Sequence, residues 1–159
     1  MKIKAITRDE ISSIKTLWEG LNAYHLSRST HFKDHFSEFT FEKRMEALKK
    51  RGCFITYVAE ENGENIGYSI ATVDGLVGEI DSLFVSEPHR GKGVGEELMS
   101  LALKWLEGQE CKTIRISIAE GNESVLDFYR KFGFAERFVV MQRTRIPVVQ
   151  PIADKAGSG

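Results

Sequence analysis

The sequence predicts a mixed α+β domain, a central sheet that is mostly antiparallel and flanked by helices. Two observations carry this. From Cys53 to Val85, β-rich runs follow one another through short turns, the pattern of antiparallel neighbours. From Glu79 onward, strands alternate with amphipathic helices, which places a parallel pair in the same sheet.

Each element has its own signal. Lys2–Ile6 alternates as a first strand, and Ile11, Ile14, Leu17, Trp18 and Leu21 recur at helical spacing, giving a helix from about Asp9 to Leu26. Arg28 to Thr40 is polar but studded with aromatics and is expected to be a structured loop. Phe41, Met45 and Leu48 mark a second helix capped by Thr40 and ended near Gly52. Cys53–Glu60 and Ile66–Val73 are strands joined by Asn62-Gly63, a hairpin signal. A fourth strand follows at Glu79–Val85, and Pro88 cannot extend its ladder. Val94, Leu98, Leu101, Ala102, Trp105 and Leu106 form one face of a helix that closes near Gly108. Thr113–Ile118 reads as a strand, Asn122 opens a helix ended by Gly133, and Phe134–Arg143 returns as strand.

The 159 residues suit one domain, expected over 1–146, with a frayed tail over 147–159. A formal net charge of −1 argues against a nucleic-acid partner. No apolar run reaches the length of a membrane span or a signal peptide core, so no membrane partner is expected. Cys53 and Cys111 form no metal-ligand pattern and read as two buried thiols of a cytoplasmic protein.

The most informative stretch is Arg90-Gly91-Lys92-Gly93-Val94-Gly95, directly after a strand and at the start of a helix. Glycines let the backbone turn tightly and approach a ligand, and the first helical turn offers free N–H groups at a positive dipole end. Together these suit a pyrophosphate, although a tight helix start with no ligand gives the same pattern. Lys92 is not followed by Ser or Thr, so this is not a P-loop, and the glycine spacing and late position do not match a dinucleotide fingerprint.

With the preceding run Glu79-Ile80-Asp81-Ser82-Leu83-Phe84-Val85, this loop resembles the GNAT superfamily of acyl-CoA-dependent N-acyltransferases, whose pyrophosphate loop reads Gln/Arg-x-x-Gly-x-Gly/Ala. Arg90, Gly93 and Gly95 occupy its fixed places. A second motif of the superfamily matches at Asn122-x-x-Val125-x-x-Phe128-Tyr129-x-Lys131-x-Gly133-Phe134. The resemblance covers about Cys53 to Phe138, and the first fifty residues only in pattern. It implies a sheet whose parallel fourth and fifth strands splay apart, with the pantetheine arm of acetyl-CoA in the gap. Backbone groups of Leu83, Phe84 and Val85 are then expected to bind pantetheine, and the loop Arg90, Gly91, Lys92, Gly93, Val94 and Gly95 the pyrophosphate. The implied reaction is direct transfer of acetyl to a primary amine of a small molecule in a ternary complex. A protein lysine or N-terminus as acceptor, or a non-catalytic acyl-CoA sensor, are the alternatives. No metal is expected, and a homodimer could form through the strand after Gly133.

Acetyl transfer requires that the amine lose a proton, that the oxyanion find donors and that the departing thiolate receive a proton or hydrogen bond. By resemblance Tyr129 faces the leaving thiolate; it also falls on the apolar stripe of its helix, where a core tyrosine would sit. Asn122 is implied to bond the cofactor arm, and as a residue it suits a helix N-cap. Glu79 matches the catalytic glutamate of the histone-acetylating branch, and it shares a strand face with Asp81, Leu83 and Val85 by the period of two. An exposed strand-end carboxylate is the plainer reading, and Asp81 or water could act instead. The glutamate used by the branch that acetylates protein N-termini falls here on Ser117, which departs from that mechanism. The segment from Tyr24 to Phe41 holds His25, His31 and His35 and the aromatics Phe32, Phe36 and Phe39. These could line an acceptor pocket or anchor a long loop. His31-x-x-x-His35 has helical ligand spacing, but nothing nearby completes a metal site.

Overall fold

A computed structural model describes residues 1–144; the tail expected from Pro147, and the last two residues of the expected domain, lie outside the described residues. Five strands form one sheet in the order β1-β2-β3-β4-β5. They are β1 (Lys2–Ile6), β2 (Cys53–Glu61), β3 (Glu64–Asp74), β4 (Val77–Val85) and β5 (Thr113–Ile116). Pairing is antiparallel through β4 and parallel between β4 and β5. The β2–β3 hairpin turns on Asn62 and Gly63, which take left-handed φ values of 53° and 83° as a tight two-residue turn requires.

The first helical region begins as a 3-10 turn over Arg8–Ile14 and continues as α1 (Lys15–Arg28). The expected loop after it contains a short helix, α2 (Lys33–Glu38), before α3 (Phe41–Lys49). The aromatic spacing hid α2, because its single turn has no buried face and draws its position from α1. There, the Asn22 side-chain amide donates to the carbonyl of Phe36 at 2.8 Å. Thr40 caps α3 as expected, its hydroxyl accepting from the Lys43 N–H at 3.2 Å.

The sheet is covered on both faces. On one side Ile14, Trp18, Met45 and Leu48 from the N-terminal helices pack on Val58, Tyr68 and Ile70. On the other, α4 (Val94–Glu107) places Leu98, Met99, Ala102 and Leu106 against Ala59, Ala71 and Ile80. The C-terminal helix is a 3-10 turn, Glu123–Val125, followed by α5 (Leu126–Arg130).

Three expectations change. Phe134–Arg143 forms no strand: among the described residues β5 pairs with β4 alone, and Phe138, Val139, Val140 and Met141 are 73–93% exposed. β-propensity alone supplies no ladder partner, and a strand is only as stable as its neighbour. Cys53 is exposed at the start of β2, not buried, and Cys111 is partly buried. β5 stops at Ile116, two residues short of the expected end, and that early stop matters for the site.

Leu98 is fully buried where α4 crosses the sheet. Leu98→Ala should destabilise the fold by about 2–5 kcal/mol. Chemical denaturation should show a lower midpoint with an unchanged slope.

Candidate functional site

The parallel ladder between β4 and β5 contains four residue pairs, from Val77–Thr113 to Ile80–Ile116, and then ends. From Ser82 to Val85, β4 continues to pair with β3 on its other edge. One edge of this half-strand therefore presents backbone groups to a gap in the sheet, the place where an extended ligand can add as a strand.

The ladder to β3 carries an extra residue at this point. Ala71 pairs with Ile80 and Ile70 with Ser82, so Asp81 is bulged out. The bulge breaks the period of two and corrects the expected face. Glu79 and Asp81 do not share a face with Leu83 and Val85. They reach Arg44 and Arg51, which lie on α3 and just after it, whereas Leu83 and Val85 pack beneath α4. Ser82 and Phe84 also lie on the α1 side, Ser82 within 2.7 Å of the Tyr68 hydroxyl.

The candidate bases are both held by arginines. Glu79 Oε2 accepts from Arg51 Nη1 at 3.1 Å and from Arg115 Nη2 at 3.2 Å. The Asp81 side chain is only 2% exposed and pairs with Arg44 and, at 3.5 Å, with Arg51. Sequence spacing gave no sign of Arg44, Arg51 or Arg115, which come from three different segments.

Gly91 and Gly93 have φ of 72° and 84°, and a Cβ on either would meet nothing within 4 Å. Both are in a conformation that glycine adopts readily, and both face open space. Gly93 is the N-cap of α4, and Val94 is buried as the first core residue of that helix. Among the described residues no hydrogen bond is made by the N–H groups of Gly91, Lys92 and Gly93. Gly95 differs: a Cβ there would stand 3.6 Å from the Phe128 ring, so its smallness serves helix packing. Arg90 turns away from α4. Its Nε donates to the Val85 carbonyl at 2.9 Å, and its guanidinium lies over Phe84 and Tyr24 on the α1 side.

Asn122 precedes the 3-10 turn but its side chain makes no capping bond; its Oδ1 is buried and without a partner. An orphaned buried acceptor costs free energy unless a ligand supplies a donor. Tyr129, on α5, is 8% exposed among Met99, Ala102 and Phe134, and burial pushes its phenol up to about 12. It is therefore a proton donor, not a phenolate, at neutral pH. His25 on α1 has a partner-less Nδ1, and burial lowers its pKa and favours the neutral ring.

The aromatic segment divides in two. Phe39 and Phe41 stand edge-on to Trp18, each at 5.9 Å, and anchor the chain to the core. Tyr24 instead lines a cleft between α1 and the far half of β4. His35 stacks on Phe39, while His31 bonds Glu120, so the two histidines do not converge.

Glu120, which nothing in the sequence singled out, ties the two halves of the site together. Oε1 accepts from the backbone N–H groups of Thr30 at 2.6 Å and His31 at 3.0 Å and contacts His31 Nδ1 at 3.2 Å. Desolvation opposes its ionisation, but these hydrogen bonds outweigh it and hold the carboxyl below its ordinary value. Next to it, a Cβ on Gly121 would come within 2.3 Å of the Arg28 carbonyl, so the end of α1 rests directly on the loop after β5. The partners lie some 90 positions apart, beyond any local motif.

Residues 18–134 match the family model described as Acetyltransferase (GNAT) family. An N-acetyltransferase of Methanocaldococcus jannaschii, itself uncharacterised, is 23% identical over 87% of this chain, which spans 62% of that relative's length. An acetyltransferase of Pectobacterium atrosepticum is 26% identical over 84% of this chain and 87% of its own. The fold is shared with the aminoglycoside N-acetyltransferase AAC(6')-Iy, solved in complex with CoA, at a TM-score of 0.63 and 17% identity, covering 91% of this chain and all of that one.

Removing the Glu120 carboxylate in Glu120→Ala should raise amide hydrogen exchange at Thr30 and His31 by about tenfold or more while α4 keeps its protection. Unchanged exchange at both amides would show that other contacts hold the segment.

Proposed function

The chain belongs to the acetyltransferase (GNAT) family, and on that premise we propose that it transfers an acetyl group from acetyl-CoA to a primary amine of a small molecule, with both substrates bound together. The observation that carries this reading is the half-strand Asp81–Val85, unpaired on the β5 side and joined through a 3-10 turn over Glu87–His89 to the open glycine turn of α4. On the open edge the Leu83 N–H and C=O and the Val85 N–H suit the amides of a pantetheine arm, while the backbone groups of Phe84 turn to Tyr68 in β3 and the Val85 carbonyl is held by Arg90. The free N–H groups of Gly91, Lys92 and Gly93, at the positive end of α4, suit its pyrophosphate. The buried, partner-less Oδ1 of Asn122 fits an amide donor of the same arm. Bound there, acetyl-CoA supplies an activated thioester.

This chain's own residues then have separable tasks. The thioester end lies toward the bulge, and the acceptor approaches from the α1 side, where Ser82 and Phe84 are presented. Asp81 is sealed against Arg44, so it shapes the bulge and does not reach a substrate proton. Glu79 is fixed by Arg51 and Arg115 through Oε2, and its Oε1 can take the amine proton directly or through water. Tyr129 donates a hydrogen bond or proton to the sulfur as it leaves, and its burial keeps the phenolic proton available for that step.

Adding acetyl-CoA and a panel of small primary amines to the protein should release free thiol with at least one of them. Acetyl-CoA binding with no release from any small amine, but release with a lysine peptide, would move the acceptor to protein. Binding without any turnover would leave a sensor module.

Tyr129→Phe keeps the ring and its packing and removes only the hydroxyl. Single-turnover acetyl transfer should fall by about tenfold or more, with acetyl-CoA affinity and stability nearly unchanged. The loss should shrink with an acyl donor whose thiol is more acidic, because that leaving group needs less help. An unchanged transfer step with the natural donor would make the hydroxyl structural.

A further inference from the structure

We infer that the cleft between α1 and the far half of β4 is a carboxylate site, so that the acceptor is a primary amine carrying a carboxylate, such as an ω-amino acid or the side-chain amine of a diamino acid. The inference rests on the acetyltransferase reading above and adds the acceptor's chemical class to it.

The cleft is lined by Leu17, Gly20, Tyr24 and Arg28 of α1 and by Phe84 and Arg90 across from them. The Arg28 guanidinium lies 5.1 Å from the centre of the Tyr24 ring. The Arg90 guanidinium lies 5.5 Å from the same ring and 5.4 Å from that of Phe84. Two cations thus share one aromatic ring, and they repel each other. Among the described residues neither has a carboxylate within ion-pairing distance; Glu87 lines the same cleft but pairs with neither. The contrast with the near half of β4 is sharp, since Arg44, Arg51 and Arg115 are each ion-paired there with Glu79 or Asp81.

What holds the two guanidinium groups fixes them without spending their charge. Ring faces orient both, and Arg90 gives only its Nε, to the Val85 carbonyl. Its two Nη groups remain as a pre-set fork, the arrangement that recognises a carboxylate in two-pronged fashion. Cofactor phosphate is a poor match for this pair. The open glycine turn belongs to α4, which packs under Leu83 and Val85, whereas Arg28, Arg90, Tyr24 and Phe84 gather on the opposite side of the sheet.

The distances set the acceptor's length. Phe84 lies two residues beyond Ser82, about 7 Å along a strand. That spacing suits an acceptor with about five methylene-sized units between its amine and its carboxylate. The Tyr24 and Phe84 rings offer that stem an apolar wall.

The test compares ε-aminocaproate with ε-aminocaproamide, which keeps the ammonium and replaces the carboxylate with a neutral amide, on wild type, Arg28→Gln and Arg28→Lys. Calorimetric binding in the presence of CoA and thiol release from acetyl-CoA are both read. Wild type should prefer the acid by about tenfold or more in binding and in kcat/KM. Arg28→Gln should bring that ratio to within about twofold, and Arg28→Lys, which keeps the charge but not the fork, should fall between. Equal binding of acid and amide by wild type, with thiol released from both, overturns the carboxylate site and leaves the acetyltransferase reading intact. Selective binding of the acid without thiol release keeps the site and overturns the transfer reading. A preference that survives Arg28→Gln while the KM for acetyl-CoA rises assigns this arginine to a cofactor phosphate and overturns the inference.

Discussion

The ladder between β4 and β5 ends after four residue pairs, and most of what this molecule offers a ligand follows from that stop. A parallel pair can close only over a crossover helix, here α4, whose core residues anchor it under both strands. Where β5 gives out, β4 does not, because β3 still holds its other edge as far as Val85. The result is a strand edge that is rigid but unpaired, set inside a covered sheet and not at its rim. Unpaired backbone groups in such a place are costly unless something extended fills them. The glycine turn at the start of α4 follows from the same strand, after a 3-10 turn over Glu87–His89.

The bulge at Asp81 decides what stands on each side of that edge. One extra residue turns Asp81 and Ser82 toward the α1 side and leaves Leu83 under α4. It also draws a charged residue into the interior, where Arg44 and Arg51 compensate it. A buried carboxylate of this kind is strongly destabilising if its partners are removed, so the network of Arg44, Arg51, Arg115, Glu79 and Asp81 fixes the start of the gap. Arg51 and Arg115 both bond the same oxygen of Glu79, Oε2, and among the described residues none bonds Oε1.

The opposite wall of the site is built from the N-terminal segment, and a single carboxylate ties the end of that segment to the loop after β5. Glu120 gathers two backbone N–H groups and a histidine from the chain after α1. Arg28 rests on Gly121 beside it. The loop after β5 and the end of α1 thus bridge the gap that the strands leave open. Phe39 and Phe41 hold the next part of the segment against Trp18, which leaves Tyr24 and its two arginines as the part that faces the cleft.

Local pattern alone determined the strands β1 to β4, the hairpin at Asn62-Gly63, the helix opened by the glycine turn and the order of the two motifs. These depend on neighbours within a few residues: alternation, helical spacing, turn chemistry and the left-handed backbone of Gly91 and Gly93. Asn122 and Tyr129 stand out by the resemblance of their motif; in the folded chain the Asn122 Oδ1 is buried without a partner and Tyr129 is 8% exposed. Only the tertiary structure decided the rest. A bulge is a mismatch between two strands, so no single strand's sequence announces it, and the faces of Glu79 and Asp81 were misread for that reason. Phe134–Arg143 has strand-forming residues and no strand, because pairing requires an edge that composition cannot supply. Glu120, Arg28 and the arginines around Glu79 meet their partners across tens of residues, and such contacts exist only once the chain has folded.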